Sequence, residues 1–186
     1  MNRADRTSTL LASLLLGLIA PALLVNGVAA HPVPDFIRNP SASKARESRI
    51  YDSQIRKILA AMAAAANQKD VEGLMKYMAP DITIKLTLRV GKGSQELNLS
   101  RAEYKQYLQQ GFEATERYSG KYTNLKIQIA PNGKTGTATY TLVEEAKLKG
   151  QPVTLISTSQ ETITFEHIKG EILATAVMGD STIVVK

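Results

Sequence analysis

The segment ITIKLTLRV, residues 82–90, decides the fold class, because its aliphatic and polar side chains alternate without a break. Successive side chains of a β-strand point to opposite faces of a sheet, so a period of two predicts a strand with one apolar and one polar face. The sequence Gly-Lys-Gly-Ser at 91–94 then predicts a turn into a short partner strand at 96–99.

Two helices are predicted before this segment and a third after it. The first begins near Ser48 and repeats apolar side chains at i, i+4, i+7 and i+11, namely Ile55, Leu59, Met62 and Ala66. The second spans 71–78 behind Asp70, a residue type that favours the N-cap position. The third spans 100–115 and begins with the capping-box sequence Ser-Arg-Ala-Glu.

The rest of the chain predicts long strands joined by hairpin turns. Their predicted bounds are 121–130, 135–148, 153–167 and 171–178, with 182–185 extending the edge of the sheet. Helices grouped before antiparallel strands predict an α+β domain, with three N-terminal helices packed against an antiparallel sheet.

Residues 1–30 have the three parts of a secretory signal: early arginines, a largely apolar stretch, and small residues before a cleavage point at His31. The apolar stretch falls short of the about 20 residues that a spanning helix needs, although an uncleaved anchor is the alternative. Residues 31–47 are rich in Pro and Ser and predict a flexible tether. We therefore expect an exported (periplasmic or extracellular) protein with no membrane anchor after cleavage, and one domain at 48–186.

The composition excludes several classes of site. The 186 residues include 23 Lys or Arg, 17 Asp or Glu, 2 His and no Cys. Without Cys there is no disulfide, thiolate metal site or cysteine nucleophile, and we expect neither a metal ion nor a cofactor. The net charge of +6 is spread along the chain without a dense basic stripe, which argues against nucleic-acid binding.

The order of elements, together with the segments NQKDVEGL at 67–74 and MAPDITI at 78–84, resembles the nuclear transport factor 2-like superfamily. The resemblance covers about residues 50–186. It implies a cone-shaped barrel, in which a strongly curved antiparallel sheet wraps three helices and leaves an open pocket. Members include isomerases, dehydratases, cyclases, non-catalytic binders and dimerising modules, so the fold does not settle the function.

The steroid isomerases of this superfamily permit a comparison by residue. They need a carboxylate base, and an oxyanion site built from a Tyr and a protonated carboxylic acid. Counted from Asp70, the resemblance puts the Tyr position at Met62 and the base position at Leu86, and neither side chain can move a proton. The carboxylic acid position falls near Glu161, where a carboxyl remains. The pocket histidines of the dehydratases have no counterpart in the helices and early strands.

Glu161 is the candidate catalytic residue, because it shares strand parity with the aliphatic and aromatic residues Leu155, Ile163 and Phe165. If this parity faces the cone, burial raises the pKa of the Glu161 carboxyl and makes it an acid. The alternative, which the sequence favours, is a bulge that turns this stretch to solvent. For Glu144, the adjacent charge of Glu145 favours a solvated strand end.

The predicted ligand-binding residues are Met62, Leu86, Tyr104, Tyr107, Tyr140 and Glu161. Tyr104 and Tyr107 are phenol donors to a ligand, or else core aromatics with one polar tip. His167, before the last hairpin turn, is expected to be exposed and to take no part in metal binding or catalysis.

Three functions remain open. The favoured one is an exported, non-catalytic module that holds a small, mainly apolar molecule, because apolar residues occupy the two expected catalytic positions. The second is a secreted lyase or isomerase that uses Glu161 as an acid with a Tyr donor. The third is a structural domain that forms a homodimer through the Thr-rich outer face of the sheet, which carries Thr137, Thr139 and Thr141.

Overall fold

The computed structural model describes residues 49–186, so the predicted signal peptide at 1–30 and the tether at 31–47 lie outside the described residues. The elements, in chain order, are α1 (Asp52–Asn67), α2 (Val71–Met75), β1 (Met78–Val90), β2 (Gly93–Leu99), α3 (Arg101–Ala114), β3 (Thr115–Ile129), β4 (Thr135–Leu148), β5 (Thr154–Ile168) and β6 (Glu171–Val185). No helix within residues 49–186 combines the length and the apolar character needed to cross a membrane.

The six strands form one curved, unclosed sheet in the order β2-β1-β6-β5-β4-β3. The predicted α+β class is therefore confirmed, but the fully antiparallel sheet is wrong, because β1 and β6 pair in parallel. The two segments predicted at 171–178 and 182–185 are one continuous strand, β6. This strand lies between β1 and β5 and not at the edge of the sheet.

The second and third helices start behind their predicted capping residues, whereas α1 starts at Asp52 and not near Ser48. Asp70 caps α2 by accepting a hydrogen bond from the Gly73 N–H at 2.9 Å. The capping box of α3 is present, since the Ser100 N–H donates to Glu103 Oε2 at 2.7 Å and the Glu103 N–H donates to Ser100 Oγ at 3.3 Å. Only α1 and α2 are N-terminal to the sheet, however, because α3 lies between β2 and β3.

The helix α3 bridges the sheet from one edge to the other. It contacts β1 and β2 on one side and β3 on the other, which only a curved sheet permits. Both ends of α3 are held, because Arg101 donates to the Met75 carbonyl at 2.8 Å and Lys69 donates to the Thr115 carbonyl at 2.6 Å. The face of α3 that carries its tyrosines is thereby fixed relative to the sheet.

The hydrophobic core lies between α1, α2 and the sheet. Its largest fully buried apolar side chains are Phe165, Ile50, Ile55, Met75, Ile84 and Ile163. Burial of such side chains is the main favourable term in folding, at about 25 cal/mol per Å² of apolar surface. This core fills one part of the inner face, and the polar residues described next occupy the neighbouring part.

Candidate active site

A row of cross-strand neighbours, here called the central row, crosses the inner face of β4, β5, β6 and β1. It comprises Tyr140, Glu161, Gly179 and Leu86. Directly opposed residues in a sheet project from the same face. Two positions further along, the opposed residues Ala138, Ile163 and Val177 are buried in the core, so the central row belongs to the inner face.

The Glu161 side chain is only 9% exposed. Gly179 makes room for it, because a Cβ atom at Gly179 would lie 2.9 Å from Glu161 Oε1 and 3.1 Å from Leu86 Cδ2. The predicted alternative, in which a bulge turns Glu161 to solvent, is wrong: the pairing of β4 with β5 is regular along its length.

Glu144 also belongs to the inner face, which corrects the expectation of a solvated strand end. Adjacent residues of a strand point to opposite faces, so Glu145 is exposed while Glu144 is half-buried. The Tyr118 hydroxyl donates to Glu144 Oε1 at 2.5 Å, and Ser157 also hydrogen-bonds to this carboxyl. Burial raises the pKa of Glu144, and these two hydrogen bonds oppose that rise.

Burial, and then the negative charge of Glu144, raise the pKa of Glu161 from 4.5 to about 8. Within residues 49–186 the Glu161 carboxyl accepts no hydrogen bond and has no ion pair that would offset this rise. A carboxyl with such a pKa exchanges its proton near neutral pH, as an acid–base catalyst must.

Four tyrosines surround the two acids. Tyr104 and Tyr107 project from α3 with their rings nearly parallel and 6.3 Å apart, while Tyr118 and Tyr140 project from the sheet. Burial is the largest cause of the raised pKa of all four phenols, and it brings that of Tyr107 to about 12. The phenols therefore stay protonated at neutral pH and are hydrogen-bond donors.

The electrostatic pairing divides this set, here called the acid–tyrosine cluster (Glu144, Glu161, Tyr104, Tyr107, Tyr118 and Tyr140). Among the charges that act on Tyr104 and Tyr140, Glu161 is the strongest. Glu144 is the strongest for Tyr107 and Tyr118.

Serine hydroxyls line the inner face between the two acids. Ser159 of β5 and Ser181 of β6 are opposed and buried, and their hydroxyl oxygens are 2.6 Å apart. Ser157 is opposed to Glu144. The inner face therefore changes from apolar at the core to polar along Glu161, Ser159 and Ser157, which is the odd-numbered parity of β5.

The structure brings most of the predicted ligand-binding residues together: Leu86, Tyr104, Tyr107, Tyr140 and Glu161 lie in or beside the acid–tyrosine cluster. Met62 is buried on the core face of α1. Within residues 49–186, no group of three or more His, Asp or Glu side chains is placed to hold a metal ion.

Sequence reasoning missed three of the residues described above. Tyr118 lies in the part of β3 that was not predicted as strand, Gly179 was outside both predicted segments of β6, and Glu144 was assigned to solvent. His167 was expected to be exposed, but both of its ring nitrogens are covered and have no hydrogen-bond partner within the described part of the chain.

Comparison with known proteins places the chain in a family. The model of the SnoaL-like domain family matches residues 55–171. A search of curated proteins found no match.

Solved structures share the fold at low sequence identity. A protein from Novosphingobium aromaticivorans, provisionally assigned as a scytalone dehydratase, is 12% identical with a TM-score of 0.58, covering 71% of this chain and 83% of its own. A type 3 hexachlorocyclohexane dehydrochlorinase from Novosphingobium barchaimii is 10% identical, with a TM-score of 0.55 and coverage of 72% and 88%. An NTF2-like protein of unknown function from Pseudomonas putida is 14% identical, with a TM-score of 0.53 and coverage of 69% and 84%.

At these identities the structures support the fold alone, and the family rests on the sequence match. That match spans more than half of the chain and includes α2, α3 and the first five strands. It agrees with the resemblance carried by the segments at 67–74 and 78–84. The protein belongs to the SnoaL-like domain family of the NTF2-like superfamily.

Proposed function

We propose that this domain is an acid–base enzyme of the lyase or isomerase type, which binds a small, largely apolar molecule and moves a proton through Glu161. The observation that carries the proposal is the position of the Glu161 carboxyl, buried over Gly179 and beside Leu86 without a hydrogen-bond partner among the described residues. A carboxyl in this setting has a pKa of about 8, so both of its protonation states are populated near neutral pH.

Tyr140 is opposed to Glu161 in the sheet, and the charge of Glu161 raises the pKa of both Tyr104 and Tyr140. When Glu161 takes a proton from a substrate carbon, a phenol in this position donates a hydrogen bond to the oxygen or leaving group that gains the electrons. Glu161 then returns the proton, which gives isomerisation, or keeps it until the leaving group has departed, which gives elimination. Two structural neighbours, one provisionally assigned as a scytalone dehydratase and one a dehydrochlorinase, are named for eliminations, which is the reaction class that we propose here.

A second candidate is non-catalytic binding of the same kind of molecule. It is favoured by the aliphatic Leu86 and by the thioether Met62, which occupy the positions where the resemblance to steroid isomerases implies a base and a Tyr. Both candidates use the same inner face, so they differ only in whether Glu161 transfers a proton.

The Kemp elimination of 5-nitrobenzisoxazole tests proton transfer without knowledge of the natural substrate. The Glu161 carboxylate takes the C3 proton, the C–H electrons form the nitrile, and the N–O bond breaks to leave a coloured phenolate. We expect a rate that rises with a midpoint near pH 8 and falls by about 100-fold or more in Glu161→Gln.

The control variant is Glu166→Gln, on the same strand but exposed. It should retain the full rate. A protein that binds 5-nitrobenzisoxazole but reacts no faster than Glu161→Gln would overturn the catalytic proposal in favour of non-catalytic binding.

A further inference from the structure

The acid–tyrosine cluster contains two carboxyls and no cation. Within residues 49–186, no Lys, Arg or His forms an ion pair with Glu144 or Glu161. The whole chain nevertheless carries a net charge of +6, so cations are plentiful elsewhere. A buried acid is normally either paired with a cation or kept protonated, so Glu161 is fully ionised at neutral pH only if a cation comes from outside the cluster.

Several polar groups of the cluster also lack hydrogen-bond partners. The Glu161 carboxyl is nine-tenths buried and accepts no hydrogen bond, and the hydroxyls of Tyr104, Tyr107 and Tyr140 likewise have no partner among the described residues. These atoms are not sealed in, however. The only side-chain nitrogen or oxygen atoms of residues 49–186 that are both fully covered and unpartnered are those of His167. The unpartnered oxygens of the cluster are therefore not fully cut off from solvent.

We propose that the ligand of this site is an organic cation, an amine or quaternary ammonium group on a small apolar body, whose positive end lies between Glu144 and Glu161 and against the tyrosine rings. This inference rests on the binding site of the proposed function and names the class of molecule that it takes. Aromatic rings attract cations through their negative faces, and cages of such rings recognise quaternary ammonium groups.

The chemistry of the site distinguishes this ligand from the alternatives. An anion would meet two acids with no cation to hold it. A neutral apolar molecule would cover Glu161 and leave the hydrogen-bonding capacity of its carboxyl unmet. A cation supplies the missing counter-charge, and its apolar body contacts the aliphatic side of the central row at Leu86.

This arrangement predicts that binding releases protons. A cation stabilises the ionised carboxyl, so binding and deprotonation of Glu161 favour each other. The titratable groups that face Glu161 are Glu144 and the four tyrosines, from α3, β3 and β4. On β6 and β1 the opposed residues are Gly179 and Leu86, which do not titrate.

The test compares benzyltrimethylammonium with its neutral isostere, neopentylbenzene, in NMR titrations of the full chain at pH 6 and pH 9. Neither probe titrates, so any effect of pH comes from the protein. We expect the dissociation constant of benzyltrimethylammonium to fall by at least about tenfold, and by up to about a hundredfold, between pH 6 and pH 9. Calorimetry in buffers of different ionisation enthalpy should show proton release on binding at pH 7.

Glu161→Gln should abolish the pH dependence, and Glu144→Gln should weaken binding of the cation at pH 9. Glu145→Gln is the matched control, because Glu145 neighbours Glu144 but is exposed on the opposite face, and it should behave as wild type. Equal or tighter binding of neopentylbenzene at pH 9 would overturn the inference while leaving the Kemp elimination as the test of catalysis. Cation binding without that elimination would support the inference and reject the enzyme.

Discussion

Replacement of Glu161 by Gln should remove a large loss of stability at alkaline pH. The pKa of Glu161 is about 8 in the folded protein and returns to its ordinary 4.5 on unfolding. Between these values the folded chain keeps a proton that the unfolded chain has released. The contribution of Glu161 to the free energy of unfolding is therefore largest below about pH 4.5, falls as the pH rises, and is lost as the pH passes through 8.

The size of the effect follows from the same two values. They differ by about 3.5, and each whole unit corresponds to 1.36 kcal/mol, so ionisation of Glu161 lowers the free energy of unfolding by roughly 5 kcal/mol between pH 4.5 and 8. That is comparable with the total stability of a small domain, about 5 to 15 kcal/mol. The wild-type protein should consequently be measurably less stable at pH 9 than at pH 5.

Urea unfolding at pH 5, 7 and 9, followed by circular dichroism, measures this difference. Gln resembles the protonated acid in shape, so any fixed cost of Glu161→Gln is present at every pH. We expect the variant to gain several kcal/mol on the wild type between pH 5 and pH 9, whereas the exposed Glu166→Gln should follow the wild type. A stability difference between Glu161→Gln and wild type that is the same at pH 5 and pH 9 would refute the reasoning.

Two further predictions concern the neighbours of the acids. Gly179→Ala places a methyl group 2.9 Å from Glu161 Oε1, so the carboxyl must move; we expect a loss of about 1–3 kcal/mol in urea unfolding and a slower Kemp elimination. Gly111→Ala, in open space on α3, is its control and should instead stabilise the protein by about 0.5–1 kcal/mol. Tyr118→Phe removes the hydrogen bond to Glu144 and should cost about 1–3 kcal/mol at pH 7 in the same unfolding assay, and an unchanged stability would show that this bond contributes nothing.

Features that depend on local sequence could be predicted. Strand β4 has the predicted bounds, and the caps at Asp70 and Ser100 form the predicted hydrogen bonds, because alternation and capping need only neighbouring residues. The parallel pairing of β1 with β6 could not be predicted in this way. It joins residues about 90 positions apart, and nothing in either segment specifies its partner.

The break predicted within β6, between residues 178 and 182, shows how residues that a site requires can resemble a turn. Gly179-Asp180-Ser181 has the composition of a turn, and the strand was divided there. In the structure this segment is extended, with Gly179 making room for Glu161 and Ser181 hydrogen-bonded to Ser159. These residues are poor strand formers, but the inner face requires the small size of Gly179 and the hydroxyl group of Ser181.

The site was predictable only in part. The sequence showed which residues of β5 share a face with Glu161, but it did not show how deeply Glu161 is buried. Glu161 follows the odd-numbered parity of β5, which the sequence linked to Ile163 and Phe165. Whether that parity stays inward depends on the curvature of the sheet and on the position of α3, which are tertiary features. For Glu144 the adjacent Glu145 suggested solvent, although the alternation of a strand separates two such neighbours onto opposite faces.

Leu86 shows why an aliphatic residue at the position of an expected base does more than remove chemistry. Its Cδ2 lies 3.1 Å, and Glu161 Oε1 2.9 Å, from the point that a Cβ atom of Gly179 would occupy, so the two side chains are neighbours. Such a neighbour excludes water from Glu161 and contributes to the burial that raises its pKa. A carboxylate at position 86 would instead add a negative charge beside Glu161 and compete with it for the proton. Leu86 therefore replaces one proton-transfer group and also raises the pKa of the other, Glu161. In the reaction that we propose, Glu161 is the single carboxyl of the central row that both takes the proton and returns it.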